Sequence, residues 1–405
     1  MLASETFPVH SSYPTPSPWM QRSLDLAAQA VGITNPNPAV GCVIVCAAGH
    51  RVLGEGHTQP VGGPHAEVMA LRDAAAKGHD VAGATAYVTL EPCAHYGRTP
   101  PCCDALIAAG IGRVVASLQD PNPQVAGQGF ARLRAAGIAV DVGDGAAPAR
   151  QLNLGFLKRM ETGMPWVRAK VAASADGGTA LLNGQSQWIT GPAAREDGQR
   201  WRARADVVMT GIGTVLADDP LLNVRVALHG GTTPTAQSQA RQPHLAIVDS
   251  HLRTPLDAKL WQIAQRTVWI FGLAARDSDD FAWAQQQRQR QSALQAQGAH
   301  VVLLPAATRS GQTHAVDLPA VVHTLAGMPV NEIHVEAGAR LNGGLLQAGL
   351  VDEWLLYLAP SMLGQGKGMA ERAAPLTALT DAATYIWGDC QPVGADLRLR
   401  MFKTP

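Results

Sequence analysis

Short apolar segments alternate with segments of helical periodicity in two successive blocks of this chain. This alternation limits the folds open to the chain more than any other feature. In the first block the predicted helices are 20–31, 65–77, 101–110 and 128–137, and the predicted strands are 41–46, 85–90, 113–117 and 139–142. In the second block the predicted strands are 166–172, 206–210, 244–249, 267–271, 300–304, 332–335 and 354–359. Such alternation predicts an α/β protein, with a three-layer α/β/α unit in the first block.

The length of the chain fits two units of this kind. Domains of about 150 residues would divide 405 residues into two or three. We predict a disordered tail at 1–19, a first domain at 20–148, a connecting helix at 149–163 and a second domain at 164–405. A polar segment rich in Gly, Thr and Gln at 228–242 is predicted to be a mobile surface loop.

Charge and hydropathy exclude several classes of protein. Lys plus Arg and Asp plus Glu both total 32, so bulk charge does not favour binding to nucleic acid or to a membrane surface. We find no apolar run near the roughly 18 residues that a membrane helix needs, and no signal peptide. We therefore expect a cytoplasmic enzyme, in which cysteines serve as metal ligands or catalytic groups rather than in disulfides. We also expect a homo-oligomer, either a dimer or a tetramer.

Four residues of the first block have the chemistry of a catalytic zinc site. His65 opens a predicted helix, Cys93 follows an apolar strand, and Cys102 opens another helix. One imidazole and two thiolates suit Zn²⁺, and three protein ligands leave the fourth position for a water whose pKa falls toward 7. Glu67, two residues after the histidine, is placed to move protons, as in the H-x-E and P-C-x-x-C pattern of zinc deaminases.

A structural zinc site is the alternative. Such sites usually have four protein ligands, and His95 or Cys103 would be the fourth. We prefer to interpret Cys103 as a buried thiol, because it points away from the metal if its neighbour Cys102 is a ligand.

The spacing of the two cysteines indicates a particular family. Residues 89–102 read T-L-E-P-C-A-H-Y-G-R-T-P-P-C, residues 35–41 read N-P-N-P-A-V-G, and residues 120–123 read D-P-N-P. These motifs resemble the deaminase half of the bifunctional riboflavin-biosynthesis family, which has a cytidine-deaminase-like fold. The resemblance implies that Asn37 binds the pyrimidine and that His95 and Arg98 bind the sugar phosphate. An arginine is also the side chain best suited to grip a phosphate. The family commonly has a histidine where this chain has Thr58, and whether His57 replaces it is left open.

Glycine turns in the second block point to an anionic ligand. Residues 210–215 read T-G-I-G-T-V, and residues 335–338 read V-E-A-G before a predicted helix with Asn342-Gly343-Gly344. Free backbone N–H groups at such strand–turn–helix junctions favour anions. Two such turns in one domain suggest a dinucleotide, although the spacing differs from the Rossmann fingerprint.

The second block resembles the reductase half of the same family, on the motifs at 170–177, 186–190, 211–225 and 335–341. The resemblance implies a dihydrofolate-reductase-like fold that uses NADPH. The residues implied to face NADPH are Ala172, Trp188, Thr214, Asp218, Ser250, Gly338, Ala339, Arg340, Leu341, Asn342, Gly343 and Gly344. The residues implied to face the substrate are Ser186, Arg202, Leu222, Arg225 and Glu336. Asp176 is a plausible catalytic helper.

Simpler interpretations remain for some of these residues. Trp188 is a core aromatic in one of them, and Asp218 and Asp219 only end a helix in another. Most arginines on the helix that carries Arg202 should be solvated.

The predicted activity has two steps on a phosphorylated pyrimidine. The first is the zinc-dependent deamination of a diaminopyrimidinone ribosyl phosphate, and the second is the NADPH-dependent reduction of its ribosyl group to ribityl. Two rivals are a non-catalytic zinc-stabilised binding protein and a nucleoside or tRNA deaminase fused to a reductase. Glu67 and the open metal position argue against the first rival. The lack of a basic stripe with interleaved aromatics argues against tRNA.

Overall fold

The structure is a computed structural model that describes residues 14–96, 100–122, 126–225, 241–275, 280–307 and 315–404. Contacts divide the chain into two units, Met1–Met164 and Pro165–Pro405. Most of the predicted tail lies outside the described residues, as do Arg98 and residues 228–240 of the predicted loop. No helix in the described part of the chain is both long and apolar enough to cross a membrane.

The first unit is built on a five-stranded sheet in the order β2–β1–β3–β4–β5. Its strands are β1 (Gly41–Val45), β2 (Val52–His57), β3 (Thr85–Val88), β4 (Arg113–Ala116) and β5 (Ala139–Val142). Strand β1 pairs antiparallel with β2 and β3, whereas β3, β4 and β5 run parallel. Its helices are α1 (Pro18–Ala30), α2 (Ala66–Ala76), α3 (Cys102–Ala108), α4 (Gln128–Ala135), α5 (Ala146–Leu152) and α6 (Leu154–Thr162).

Both faces of this sheet are covered, which confirms the three-layer prediction. On β4, Val114 and Ala116 pack into a core that includes residues of α2, α3 and α4. Val115 points to the other face, where it packs with Met20 of α1 and Ala149 of α5. The period of two along a strand therefore separates two apolar cores.

Strand β2 occupies a segment for which the sequence analysis predicts no strand. A Cβ added at Gly54 would lie 2.2 Å from the carbonyl oxygen of Ala70, and one added at Gly56 would lie 2.4 Å from Cβ of Met69. Glycine is needed here so that helix α2 can pack directly on the strand, which is why the segment lacks the apolar pattern of a strand.

The segment predicted as a connecting helix is two helices that belong to the first unit. Phe156 and Leu157 of α6 are buried in the core of the first unit. The side chain of Asn153, between α5 and α6, bonds both backbone groups of Ala39. This differs from the predicted boundary at 148, because the contacts of the first unit continue to Met164.

The second unit contains a nine-stranded sheet in the order β11–β10–β9–β8–β12–β6–β13–β16–β15. The seven predicted strands are present as β6 (Trp166–Ser174), β8 (Val207–Gly211), β9 (His244–Val248), β10 (Val268–Leu273), β11 (His300–Leu304), β12 (Glu332–Val335) and β13 (Glu353–Ala359). They pair in parallel. Strands β7 (Ala180–Leu181) and β14 (Gly366–Lys367) form a separate pair.

The sequence analysis missed the antiparallel hairpin of β15 (Tyr385–Val393) and β16 (Asp396–Lys403) at one edge of the sheet. Its strands are mostly exposed or half-exposed and contain no apolar run longer than three residues, so the sequence analysis did not recognise them. The helices of this unit are α7 (Pro192–Arg204), α8 (Ile212–Asp218), α9 (Phe281–Ala296), α10 (Leu318–Ala326) and α11 (Ala339–Gln347).

Candidate active sites

The structure brings the predicted zinc ligands together at the starts of two helices. His65 immediately precedes α2, and Cys102 is the first residue of α3. His65 Nδ1 lies 3.6 Å from Cys93 Sγ and 3.3 Å from Cys102 Sγ. The three ligand atoms all lie within 4.8 Å of one another. One nitrogen and two sulfur donors at this separation fit a tetrahedral Zn²⁺, with one position open to water.

The cysteine pair already favours a thiolate. A hydrogen bond from the Cys102 thiol, together with His65, lowers the pKa of Cys93 to about 4. The backbone N–H of Cys102 also donates to Cys93 Sγ at 3.4 Å. A bound metal deprotonates a coordinating thiol outright, so this arrangement assists metal binding.

Glu67 lies in the first turn of α2 and is 4 % exposed. Burial raises its pKa to about 7, and the negative charge of Cys93 adds to the effect. Cys102 is within hydrogen-bonding reach of its carboxyl group. A carboxyl group with a pKa near 7 beside the ligand cluster can both accept and donate a proton at neutral pH.

Neither candidate for a fourth ligand joins the cluster. Among the described residues, His65, Cys93 and Cys102 form the one group of His, Cys, Asp and Glu side chains that could hold a metal ion. The Cys103 thiol is fully buried and donates instead to the carbonyl oxygen of Pro92 at 3.2 Å. Burial raises the pKa of Cys103 to about 12. The geometry is that of an open site, as expected for catalysis rather than structure.

The residues predicted to bind the deaminase substrate are only partly described. Asn37 is half-buried, and its side-chain amide has no hydrogen-bond partner among the described residues. Nδ1 of His95 is buried, also without a partner in that part of the chain. Arg98 lies outside the described residues, so its prediction has no structural counterpart.

Thr58 holds the strand that follows the Asn37 loop. Its hydroxyl oxygen accepts from Val40 N–H at 3.2 Å and lies 3.3 Å from the Val40 carbonyl oxygen. The ring of His57 contacts the next two residues of the chain. Its Nδ1 lies 3.1 Å from the Thr58 carbonyl oxygen and 3.5 Å from Nε2 of Gln59. Whether His57 replaces the family histidine therefore stays open.

Glu91 organises the wall beside Cys93, a role that sequence reasoning missed. Its buried carboxylate accepts hydrogen bonds from the backbone N–H groups of Asp120, Gly127 and Phe130. It thereby ties the Cys93 loop to the D-P-N-P turn and to the start of α4. Burial raises the pKa of Asp120 in that turn to about 6, and the charges of Cys93 and His95 also act on it. Its position in the 89–102 motif, two residues before Cys93, is the sequence feature that could have indicated this role.

The second unit contains a cavity of about 2500 Å³. Its walls include fifteen of the residues predicted to face NADPH or substrate, which are Ala172, Ser186, Trp188, Arg202, Thr214, Asp218, Leu222, Arg225, Ser250, Glu336, Gly338, Ala339, Arg340, Leu341 and Gly344. The parallel strands β8, β9 and β12 end at this cavity, so residues distant in sequence meet there.

Two simpler interpretations are not supported at this cavity. Trp188 is 69 % exposed, with the guanidinium carbon of Arg195 4.5 Å from its ring centroid, so it is not a core aromatic. Asp219 ends α8 in a left-handed conformation and accepts from Lys259 N–H, but both Asp218 and Asp219 also line the cavity.

Arg202 and Glu336 form a bidentate ion pair in the wall of the cavity. Nε and Nη2 of Arg202 donate to the two carboxylate oxygens at 2.5 and 2.8 Å, and Nη1 donates to the carbonyl oxygen of Asn223. The Arg202 charge keeps the pKa of Glu336 well below its usual range, against the effect of burial. Lys170, which sequence reasoning missed as a lining residue, lies in the same wall, and burial lowers its pKa.

Three predicted residues of the second unit do not line the cavity. The Asp176 carboxylate accepts from the Ser174 hydroxyl and from the N–H groups of Leu363 and Gly364. These contacts lower its pKa to about 2 and suggest that it fastens a loop. Its role as a catalytic helper stays a prediction.

Asn342 and Gly343, on α11, face a neighbouring segment of the second unit. The Asn342 amide donates to the carbonyl oxygens of Ala337 and Met369. A Cβ on Gly343 would lie 1.7 Å from the carbonyl oxygen of Glu371. Both residues therefore support the turn before α11 from the side away from the cavity, because side chains on one helix point in different directions.

Comparisons with known proteins identify the family of the chain. The family model for the RibD C-terminal domain matches residues 165–388, and the model for the cytidine and deoxycytidylate deaminase zinc-binding region matches residues 15–118. The riboflavin biosynthesis protein RibD of Escherichia coli K12 is 45% identical to the chain, across 95% of the chain and 98% of that protein. The chain belongs to the RibD family. The predicted pairing of a zinc-dependent deaminase domain with an NADPH-dependent reductase domain in riboflavin biosynthesis is thereby confirmed.

Other RibD proteins show the same extent of similarity. RibD of Haemophilus influenzae is 41% identical across 94% of the chain and 95% of that protein. A structure of Acinetobacter baumannii RibD has 42% identity and a TM-score of 0.80, covering 96% of this chain and 98% of its own. A Thermotoga maritima diaminohydroxyphosphoribosylaminopyrimidine deaminase/5-amino-6-(5-phosphoribosylamino)uracil reductase has 26% identity and a TM-score of 0.76, covering 95% of this chain and 98% of its own. The predicted fold class is confirmed in both halves.

The cavity of the second unit fits a dinucleotide at its glycine turns. A Cβ added at Gly213 or Gly338 meets no protein atom within 4 Å, and both residues line the cavity. Gly338 immediately precedes α11, whose first backbone N–H groups have no partners within the helix. A close approach of backbone to a phosphate group is therefore possible there.

Proposed function

We propose that the first unit of this RibD-family protein removes the C2 amino group of 2,5-diamino-6-(5-phosphoribosylamino)pyrimidin-4-one by hydrolysis. The observation that carries this proposal is the open cluster of His65, Cys93 and Cys102 with the buried Glu67 beside it. The three residues would hold Zn²⁺, which when bound activates a water molecule for attack on the ring carbon. The Thermotoga maritima relative is named for the same deaminase activity, which supports the choice of substrate.

Glu67 carries the proton in this step. Its carboxylate takes a proton from the attacking water and delivers it to the ring nitrogen. It then takes the proton of the hydroxyl group that has been added to the ring carbon and delivers it to the amino group, which leaves as ammonia. A pKa of about 7 suits both directions of transfer, because neither protonation state is strongly favoured at neutral pH. Burial also keeps bulk water from competing for the proton.

Substrate contacts in the first unit follow from the groups that lack partners. The Asn37 amide has donors and an acceptor available for the edge of a pyrimidine, and His95 Nδ1 is available for the sugar phosphate. Arg98, three residues after His95, would supply a bidentate cation for the same phosphate.

The second unit, in the proposal, reduces the ribosyl group of 5-amino-6-(5-phosphoribosylamino)uracil to ribityl. NADPH, when bound, supplies a hydride to C1′ of the ribosyl chain. The residues proposed to hold the cofactor are Ala172, Trp188, Thr214, Asp218, Ser250, Gly338, Ala339, Arg340, Leu341 and Gly344, with Asn342 and Gly343 supporting the turn from behind. Ser186, Leu222 and Arg225 would contact the substrate, while Arg202 orients Glu336 toward it.

Substitution of Glu67 by Gln tests the deaminase mechanism. The amide keeps the size of the side chain but cannot shuttle the proton, so ammonia release should fall by at least 100-fold, in keeping with the usual contribution of general acid–base catalysis of about 10²–10⁴. Metal analysis should still find zinc in the variant. Glu161→Gln, a change of an exposed glutamate in the same unit, is the control. Near-normal ammonia release by the Glu67 variant would contradict the assigned role.

A cytoplasmic location and a homo-oligomeric state stay predictions. A reducing compartment would keep Cys93 and Cys102 available as metal ligands, which supports the first. Light scattering on the purified protein would measure the second.

A further inference from the structure

Gln199 is a wall residue of the reductase cavity that no predicted role covers. It lies on α7, is 7 % exposed, and lines the cavity together with Arg202 one turn further along the helix. Its Oε1 accepts a hydrogen bond from the backbone N–H of Arg225 at 3.0 Å. The side chain therefore touches the segment that presents Arg225.

This contact fixes the orientation of the amide group. The backbone N–H of Arg225 needs an acceptor, so the carbonyl oxygen of Gln199 must face it and Nε2 must point elsewhere. Nε2 has no acceptor within the described part of the chain, and it is not one of the buried polar atoms sealed from solvent. Because Gln199 lines the cavity, the two N–H donors of its largely buried amide are available to a ligand there.

The neighbouring charges indicate what that ligand is. Arg202 is neutralised, since it bonds Glu336 through two nitrogens and the Asn223 carbonyl oxygen through the third. Burial lowers the pKa of Arg225, and the nearby charge of Arg202 lowers it further. Because the Glu336 carboxylate balances only one of the two guanidinium groups, a net positive charge remains beside Gln199, and this charge favours an anion. An amide donor adds to the binding of an anion here without placing a third positive charge beside these two arginines.

We propose that Gln199 is a substrate-binding residue of the reductase site, whose Nε2 donates to a phosphoryl oxygen of the substrate while Oε1 holds the backbone of Arg225. The inference rests on the proposed function and deepens it. The two ends of one amide join the substrate phosphate to the arginine that faces it. Selection of a phosphorylated pyrimidine over its phosphate-free counterpart depends on this side chain as well as on Arg225.

Two substitutions separate substrate binding from a purely structural role. Gln199→Glu keeps an acceptor for the Arg225 N–H but replaces the donor by a carboxylate, which repels a phosphate and pairs with Arg225. Gln199→Met removes both functions. Arg200→Gln is the matched control, because Arg200 is the next residue of α7 and its exposed side chain pairs only with Glu196 among the described residues.

The experiment is a steady-state reductase assay on the full-length protein. The substrates are 5-amino-6-(5-phosphoribosylamino)uracil and its phosphate-free counterpart, each with NADPH. For the phosphorylated substrate, Gln199→Glu should raise KM at least tenfold, while the KM of this variant for NADPH stays within twofold of wild type. In Arg200→Gln, the KM for the phosphorylated substrate and the KM for NADPH should both stay within twofold of wild type. For the phosphate-free substrate, the same variant should change kcat/KM by less than threefold.

Three outcomes would overturn the proposal. A normal KM in Gln199→Glu with a defective Gln199→Met would mean that the amide only supports the Arg225 backbone. An equal loss on both substrates would place the contact away from the phosphate. A raised KM for NADPH together with a lowered melting temperature would indicate general damage to the cavity. Failure of wild type and Arg200→Gln alike to turn over the phosphorylated substrate would instead refute the proposed function, and the inference with it.

Discussion

Asn153 connects the loop of Asn37 to a segment more than a hundred residues away. Its side chain accepts from Ala39 N–H at 2.8 Å and donates to the Ala39 carbonyl oxygen at 2.9 Å, and it is almost fully buried. Arg159, on α6, donates to the carbonyl oxygen of Pro36 at 3.1 Å. The loop proposed to bind the pyrimidine is therefore held on both sides of Asn37 by the segment that follows the first sheet.

Asn153→Ala should loosen this loop. Two buried backbone groups would lose their partner, and we expect the first unit to lose about 2 kcal/mol of stability. The KM for ammonia release should rise several-fold, while zinc content and NADPH oxidation with the deaminated substrate stay normal. Gln151→Ala, an exposed change nearby, is the control. An unchanged KM in a clearly destabilised Asn153 variant would limit the residue to a structural role.

Single residues show what the sequence can and cannot reveal. The zinc ligands and Glu67 are predictable, because their spacing and chemistry are specific to few families. Asn153, Gln199 and Arg168 are not, since each is a polar side chain whose partners lie far away in sequence. Arg168 sits in an apolar strand segment yet is fully buried between Glu332 and Glu353, at 2.7 and 2.9 Å. Only the assembled sheet brings those charges together.

At the scale of elements, the turn between β12 and α11 is shaped for close approach by a ligand. Gly338 lines the cavity with a φ of −76°, which any residue adopts, and an added Cβ meets no protein atom within 4 Å. The protein itself thus has no steric need of glycine there, and the absence of a side chain leaves room for a bound molecule to approach the backbone.

Gly338→Val should therefore leave folding intact and weaken cofactor binding. We expect KM for NADPH to rise at least tenfold with little change in the melting temperature, because the new methyl groups project into the cavity. Ammonia release by the first unit serves as the internal control. An unchanged KM for NADPH would show that the cofactor does not approach this turn.

Elements with long apolar runs were predictable and the others were not. The parallel strands of the second unit are mostly buried, apart from β11, and most of them are rich in apolar residues, so their positions follow from the sequence. Strand β2 and the β15–β16 hairpin were missed for different reasons. Glycines in β2 make room for α2, and the hairpin strands at an edge of the sheet are mostly exposed or half-exposed, without a long apolar run.

At the scale of the whole molecule, each unit holds its own site. The metal cluster and Glu67 lie in the unit that ends at Met164, and the cavity lined by Gly338 and Arg225 lies in the unit that starts at Pro165. A net charge of zero over 405 residues fits this arrangement, because phosphate binding is assigned to a few arginines rather than to a basic surface.

The order of the two reactions tests the central claim most directly. The zinc-loaded protein and a zinc-depleted sample are each incubated with the diaminopyrimidinone phosphate, with and without NADPH, while ammonia and NADPH absorbance are followed. The account predicts that the loaded protein releases ammonia without NADPH and oxidises one NADPH per ammonia when it is present. It also predicts that the depleted sample does neither but still oxidises NADPH when given the deaminated substrate. Oxidation of NADPH by the depleted sample with the diamino substrate, or ammonia release that requires NADPH, would contradict it.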